Sequence, residues 1–215
     1  MTETIEKIKE KISAINIDEK VFKGIDLTYE QQLYERGKPK KYLELTVELF
    51  KAIHGTTIIE IGCMRTPLVH SITKLNPPCC NEGHSTIFWC MSGADVVSVD
   101  ISKQAVKTAK KYCKKYKNCK IIRGDGIRFL EKYKKSIDLL YLDAWDIEPG
   151  IDYAENHLLA YLKAKPKLNK TNIIAIDDTD IGQGGKGRLL IPVLNAEGYQ
   201  ILVQGRQTIA LMENV

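Results

Sequence analysis

No stretch of this chain approaches the roughly 18 consecutive apolar residues that a membrane-spanning helix needs. Its first residues, MTETIEKIKEKISAI, form an amphipathic charged segment without the apolar centre of an export signal. No membrane association is therefore expected, and a cytoplasmic protein is. The six cysteines include no C-x-x-C pair. A zinc knuckle is thus not indicated, although Cys79, Cys80, His84 and Cys90 fall together in CCNEGHSTIFWC, and free thiols in a reducing compartment are expected. Internal repeats and low-complexity tracts are absent. Charge of one sign is also lacking, since 32 basic residues face 27 acidic ones for a net charge of +5. The basic residues are dispersed apart from a run from Lys110 to Lys120, which reads as the solvated face of a helix; nucleic-acid binding is the lesser alternative.

What the chain does have is a regular alternation. With 215 residues, 44% of them hydrophobic, it can bury the core of one domain. Strand-like runs occur at TTIIEIG, DVVSVD, CKIIRGD, IDLLYLD, NIIAIDD, YQILVQ and QTIALME, with amphipathic helical segments between most of them. That order predicts a seven-stranded, mostly parallel α/β sheet with helices on both faces. Only Gly205 and Arg206 separate the last two runs. The pair must therefore form a C-terminal antiparallel hairpin. Ser102 sits where an N-cap belongs and Gly198 where the last helix should stop. Residues 1–38 precede the pattern as a helical extension that either covers a sheet edge or roofs a substrate cleft, and residues 39–215 form the main domain.

Several strand ends carry carboxylates or glycine. The first strand ends IIEIGCMRT, with Glu60 two residues before Gly62. This resembles the first motif of class I S-adenosylmethionine-dependent methyltransferases, and the fold that the resemblance implies is their Rossmann-like sheet. The pattern departs from the usual one: 20 residues, 63 to 82, intervene before Gly83, His84 and Ser85 open a helix. Gly62 permits close backbone approach, and the free N–H groups near Gly83 and Ser85 can hold a cofactor carboxylate. The insertion is either a lid or a packed surface loop. The second strand ends VVSVD, so Asp100, with Ile101 beside it, is placed to accept ribose hydroxyls. A nicotinamide-binding domain would use the same device, but the first loop lacks G-x-G-x-x-G. Asp125 and Gly126 follow the third strand and by resemblance border an adenine. Each of these acidic residues could alternatively cap the helix that follows.

The fourth strand end, IDLLYLDAWD, resembles that of catechol O-methyltransferase. That resemblance implies a magnesium ligand at Asp143, a tryptophan at Trp145 and the catalytic base at Asp146, where the catechol enzymes have lysine. Asp146 could instead cap a helix. The fifth strand ends IAIDD, and Asp-Asp there matches the macrocin and other sugar O-methyltransferases, implying Asp177 and Asp178 as the remaining metal ligands. Three clustered carboxylates repel one another unless a cation lies between them, and an all-oxygen set suits Mg2+ or another hard divalent ion. His157 is expected on the following helix as a surface or packed residue. TDIGQGGKGR reads as a mobile loop leading into the last helix.

The expected activity is therefore divalent-metal-dependent O-methylation, from S-adenosylmethionine, of a small hydroxylated molecule such as a sugar or glycosylated metabolite. Two alternatives stand beside it: a metal-independent methyltransferase of the same fold acting on nitrogen, nucleic acid or protein, and a non-catalytic S-adenosylmethionine-binding protein. Homodimeric pairing is open.

Overall fold

A computed structural model describes residues 2–15, 39–65 and 84–213. Its elements, in chain order, are α1 (Thr2–Ser13), α2 (Pro39–Ala52), β1 (Thr57–Ile61), α3 (Ser85–Met91), β2 (Asp95–Asp100), α4 (Lys103–Cys113), β3 (Cys119–Arg123), α5 (Gly126–Lys132), β4 (Ile137–Leu142), α6 (Tyr153–Ala164), β5 (Leu168–Asp177), α7 (Leu190–Ala196), β6 (Gln200–Gln204) and β7 (Gln207–Met212). The seven strands form one sheet in the order β3-β2-β1-β4-β5-β7-β6. Pairing is parallel from β3 across to β5, and β7 runs antiparallel to both β5 and β6.

The period-2 pattern of the strands divides the core into two layers. Ile58, Leu139, Tyr141, Ile173 and Ala175 face α1 and α2. Ile59, Ile61, Leu140, Leu142, Ile174 and Ile176 face α5, α6 and α7. All six residues of β4 are buried, which a central strand covered on both sides requires. Helix starts follow their local chemistry. Ser102 accepts from the Ala105 N–H at the head of α4, and Asp125 accepts from the Arg128 N–H at the head of α5. Gly198, at φ 89°, carries the chain out of α7.

Two boundaries differ from the sequence pattern. β5 starts at Leu168 because Leu168 pairs with Ile137 before a register shift. The last helix starts at Leu190, since Gly185–Gly187 form a separate 3-10 turn and Lys186 is taken out of the helix. In the N-terminal extension, α1 buries Ile5, Ile8 and Ile12 against Tyr42 and Leu43. The Ser13 hydroxyl donates to Leu202 O on β6, so this part lies at the β6 edge. Residues 16–38 and most of the 63 to 82 insertion lie outside the described residues. No described helix is long and apolar enough to cross a membrane.

The strand order reverses direction between β1 and β4. In open α/β sheets a crevice opens at the carboxyl ends of such a pair.

Candidate active site

At that switch point lies a cavity of about 220 Å³, lined by Asp100, Ile101, Asp125, Gly126, Asp143 and Asp146 among others. Gly62 lies between two lining residues, Ile61 and Cys63: its N–H donates to Val99 O at 2.8 Å, and the Asp143 N–H donates to Ile61 O at 2.8 Å. With φ at +94°, a Cβ on Gly62 would lie 2.2 Å from Asp143 O. Only glycine allows β1 and β4 to close this tightly.

Asp100 is fixed by amides rather than by cations. Its Oδ2 accepts from the Cys63 N–H at 3.0 Å and its Oδ1 from the Ser102 N–H at 2.7 Å. Each oxygen retains a second lone pair for a ligand hydroxyl. Asp125, the N-cap of α5, also lines the cavity, so the capping alternative and the site position coincide at that residue.

Glu60 and Ser85 lie elsewhere. The Glu60 carboxylate is fully buried and accepts from Ser85 Oγ at 2.7 Å, Thr86 Oγ1 at 2.7 Å and Trp89 Nε1 at 3.0 Å, and also from Ser98 Oγ. Burial pushes this carboxyl up to about 8. Its side chain and that of Ser85 are spent on pinning α3 to β1 rather than on the cavity lining. Gly83 lies outside the described residues.

On the other side of the switch point, Asp143, Asp177 and Asp178 bring one carboxylate oxygen each within 4.8 Å of the other two. Two residues that the sequence pattern did not single out join them. Lys186 Nζ, at 0% exposure, lies 2.8 Å from Asp143 Oδ1 and 3.0 Å from Asp178 Oδ2. Arg206 binds Asp177 Oδ2 through Nη2 at 3.1 Å and Asp178 Oδ1 through Nη1. Gln207 Nε2 donates to Asp177 Oδ1 and to the Tyr141 hydroxyl, both at 2.9 Å. Burial opposes the Lys186 charge, but Asp143, Asp178 and Asp177 outweigh it and hold the ammonium above the ordinary lysine range. Burial lifts Asp177 to about 7, with Arg206 opposing and Asp143 and Asp178 assisting.

The loop geometry explains how Lys186 gets there. Asp178 leaves the strand at φ 51°. The chain then returns so that the Lys186 N–H donates to Asp178 O at 3.1 Å. A Cβ on Gly185 would lie 1.8 Å from that carbonyl oxygen. The glycine-rich segment is the docked support of a buried lysine.

No family profile matches the chain, and none of the curated proteins matches its sequence. Solved structures do match its fold. An SAH-bound methyltransferase from Podospora anserina has a TM-score of 0.59 at 13% identity, covering 100% of this chain and 89% of its own. A methyltransferase from Geobacter sulfurreducens gives 0.56 at 12%, covering 98% and 87%. The SAH-bound magnesium protoporphyrin IX methyltransferase from Synechocystis gives 0.55 at 14%, covering 90% and 92%. The fold is that of the class I methyltransferases.

On this methyltransferase fold the loop after β4 is braced from below. Trp145 takes φ 50°, a costly conformation for a bulky residue. Its ring meets the His157 ring edge-on, with centroids 5.1 Å apart. His157 is fully buried on α6, its Nδ1–H donating to Tyr153 O at 2.6 Å. Burial, aided by Lys186, lowers it to about 3, so it is neutral. Asp146, at the cavity mouth, pairs with Arg65 Nη1 at 2.6 Å, both side chains being almost half exposed.

The oxygen-rich chemistry of Asp143, Asp177 and Asp178 suits a hard divalent cation, but their surroundings do not. Five of their six oxygens hold Lys186, Arg206 or Gln207. A divalent ion would have to displace a buried ammonium. As they stand, these residues do not fit a metal.

Proposed function

We propose that the chain transfers the methyl group of S-adenosylmethionine to a hydroxyl of a small molecule, such as a sugar or a glycosylated metabolite. The observation that carries this reading is the cavity at the β1/β4 switch point. Asp100, Asp125 and Gly126 line one end of it, and Asp143, Trp145 and Asp146 the other. Asp100 would accept from the ribose hydroxyls, Asp125 and Gly126 would border the base, and the loop that Gly62 opens, with Cys63 in the cavity lining, would receive the cofactor's amino-acid end. When bound, the cofactor supplies an electrophilic methyl group on sulfur.

The remaining chemistry belongs to this chain. Asp146, the more exposed of the carboxylates at the acceptor end, takes the proton of the acceptor hydroxyl. Trp145, braced by His157, walls the acceptor so that oxygen and methyl meet in line, and orientation of this kind supplies roughly 7–11 kcal/mol in favourable systems. Lys186 and Arg206 keep the buried carboxylates in place, which leaves no step that needs a divalent ion. Adding Mg2+ to protein stripped of divalent ions is expected to leave kcat unchanged, and strict Mg2+ dependence would restore the metal-dependent reading.

The deciding experiment is calorimetry with S-adenosylhomocysteine followed by a methyl-transfer screen over hydroxylated small molecules. Asp146→Asn is expected to keep S-adenosylhomocysteine affinity and lower kcat at least 100-fold, within the range for losing a general base. Binding without transfer to any acceptor class would favour a non-catalytic binder. One observation favours a second acceptor class: Lys103, Lys107, Lys110, Lys111, Lys114, Lys115 and Lys117 on α4 and the turn after it, and Lys120 on β3, are all exposed. No acidic residue lies between Ser102 and Arg123. A polyanion such as RNA would suit this surface, and turnover on RNA that falls steeply with salt would identify it.

A further inference from the structure

A second cluster of chemistry-bearing side chains lies outside this cavity. Cys90 on α3, Cys113 at the end of α4 and Cys119 at the start of β3 bring their sulfurs within 4.8 Å of one another, each in contact with the other two. We propose that Cys90, Cys113 and Cys119 form a three-thiolate site for one thiophilic d10 cation, with Zn2+ as the test ion. The inference is independent of the methyl-transfer reading.

Chemistry and geometry agree on it. The surrounding residues Ile87, Ala109 and Ile121 are apolar, so three thiols that face one another find only sulfur, a weak acceptor, as partner. A zinc–sulfur bond of about 2.3 Å requires sulfurs about 3.8–4.0 Å apart, and shifts of about 1 Å or less bring the three sulfurs to that spacing. Binding breaks three S–H bonds, forms three metal–sulfur bonds and releases three protons to solvent. Cys90 and Cys113 are buried, whereas Cys119 is half-buried, leaving a side on which water can complete a tetrahedral shell. Three thiolates and Zn2+ sum to one negative charge, and exposed Lys114, Lys115, Lys117 and Lys120 supply positive potential around it.

The backbone already holds the three elements in place. Asn118 Nδ2 donates to Cys90 O at 3.1 Å and to Ala94 O at 2.6 Å, tying the residue before Cys119 to the end of α3. The Tyr116 N–H donates to Cys113 O at 2.9 Å, which folds the turn between Cys113 and Cys119 back on itself. The same small core contains Cys63 and Met64 of the loop after β1. A cation there would clamp α3, α4 and β3 together behind the floor of the cavity.

The test uses the reduced full-length chain in a Cys79→Ser/Cys80→Ser background. Titration with Cd2+ is expected to give a thiolate-to-metal charge-transfer band that saturates at one equivalent, and Cys113→Ser to weaken binding at least tenfold. If Cys113→Ser fails to fold, alkylation of the wild-type chain decides. Zn2+ should slow labelling of Cys90, Cys113 and Cys119 together and leave Cys63 unchanged. No band at one equivalent, or labelling of the three cysteines that Zn2+ does not alter, overturns the proposal.

Discussion

Asp100 on the β2 side and Asp177 with Asp178 on the β5 side end strands of the same sheet, yet their charges are held in opposite ways. Asp100 rests on two backbone N–H groups and lines the cavity. Asp177 and Asp178 rest on Lys186 and Arg206, both buried. Amide donors neutralise nothing and leave a carboxylate ready for ligand hydroxyls, whereas buried cations spend the carboxylates on each other. On the proposed reading, Asp100 serves the cavity it lines, whereas Asp177 and Asp178 belong to a charge network that holds the neighbouring loops in shape. Removing the first should cost ligand affinity, and removing a member of the second should cost folding free energy.

The largest effect is expected at Lys186. Lys186→Met removes the fully buried cation that Asp143 and Asp178 share and leaves Asp178 only Arg206, and loss of one partner from a buried pair costs about 3–5 kcal/mol. Urea unfolding measures this, and a change below about 1 kcal/mol would show that the ammonium is not integral to the cluster. Asp100→Ala should lower S-adenosylhomocysteine affinity 10- to 100-fold, about 1.4–2.7 kcal/mol. Asp178→Ala should instead keep that affinity and lower stability, because Lys186 and Arg206 lose a carboxylate that they share. Equal affinity losses in the two variants would erase the contrast between the halves.

His157 lies on the shape-keeping side, and its response is to acid. Its folded-state value of about 3 lies below the 6.5 of an unperturbed histidine, chiefly through burial. Its contribution to stability is therefore complete above about pH 6.5 and is lost as the pH falls from there toward 3. The slope approaches about 1.4 kcal/mol per pH unit. Stability measured from pH 7 to pH 4 should fall less steeply in His157→Gln than in the wild type; parallel curves would mean that the ring is hydrated.

The strands and the hairpin were legible because period-2 burial and a two-residue connection leave few alternatives. So were the convergence of Asp143, Asp177 and Asp178 and the cavity positions of Asp100, Asp125 and Gly126, which follow from strand order. The counter-charges were not. Lys186 read as part of a mobile loop leading into the last helix and Arg206 as a hairpin turn, since neither spacing nor pattern marks a buried cation. The signal lay in the topology: β7 returns antiparallel to β5 with Gln207 opposite Asp177, which brings Arg206 beside the two carboxylates. The surroundings of the Glu60 carboxylate were not legible for a related reason. A motif position fixes its strand, but the hydroxyls and indole of α3, which follow the insertion, decide where its carboxylate turns.

The smallest effect is expected at Arg65 and Asp146, an ion pair at the cavity mouth that belongs to neither kind of support. With side chains 43% and 46% exposed, the pair is screened by solvent, and Arg65→Gln should change stability by less than about 1 kcal/mol, an effect that shrinks further in salt. Its loss nonetheless releases the carboxylate oxygen that Arg65 engages. If Asp146 takes the acceptor proton, the variant should shift kcat severalfold while leaving S-adenosylhomocysteine affinity unchanged. A destabilisation approaching that of Lys186→Met would instead assign the mouth of the cavity to the same shape-keeping network as its buried carboxylates.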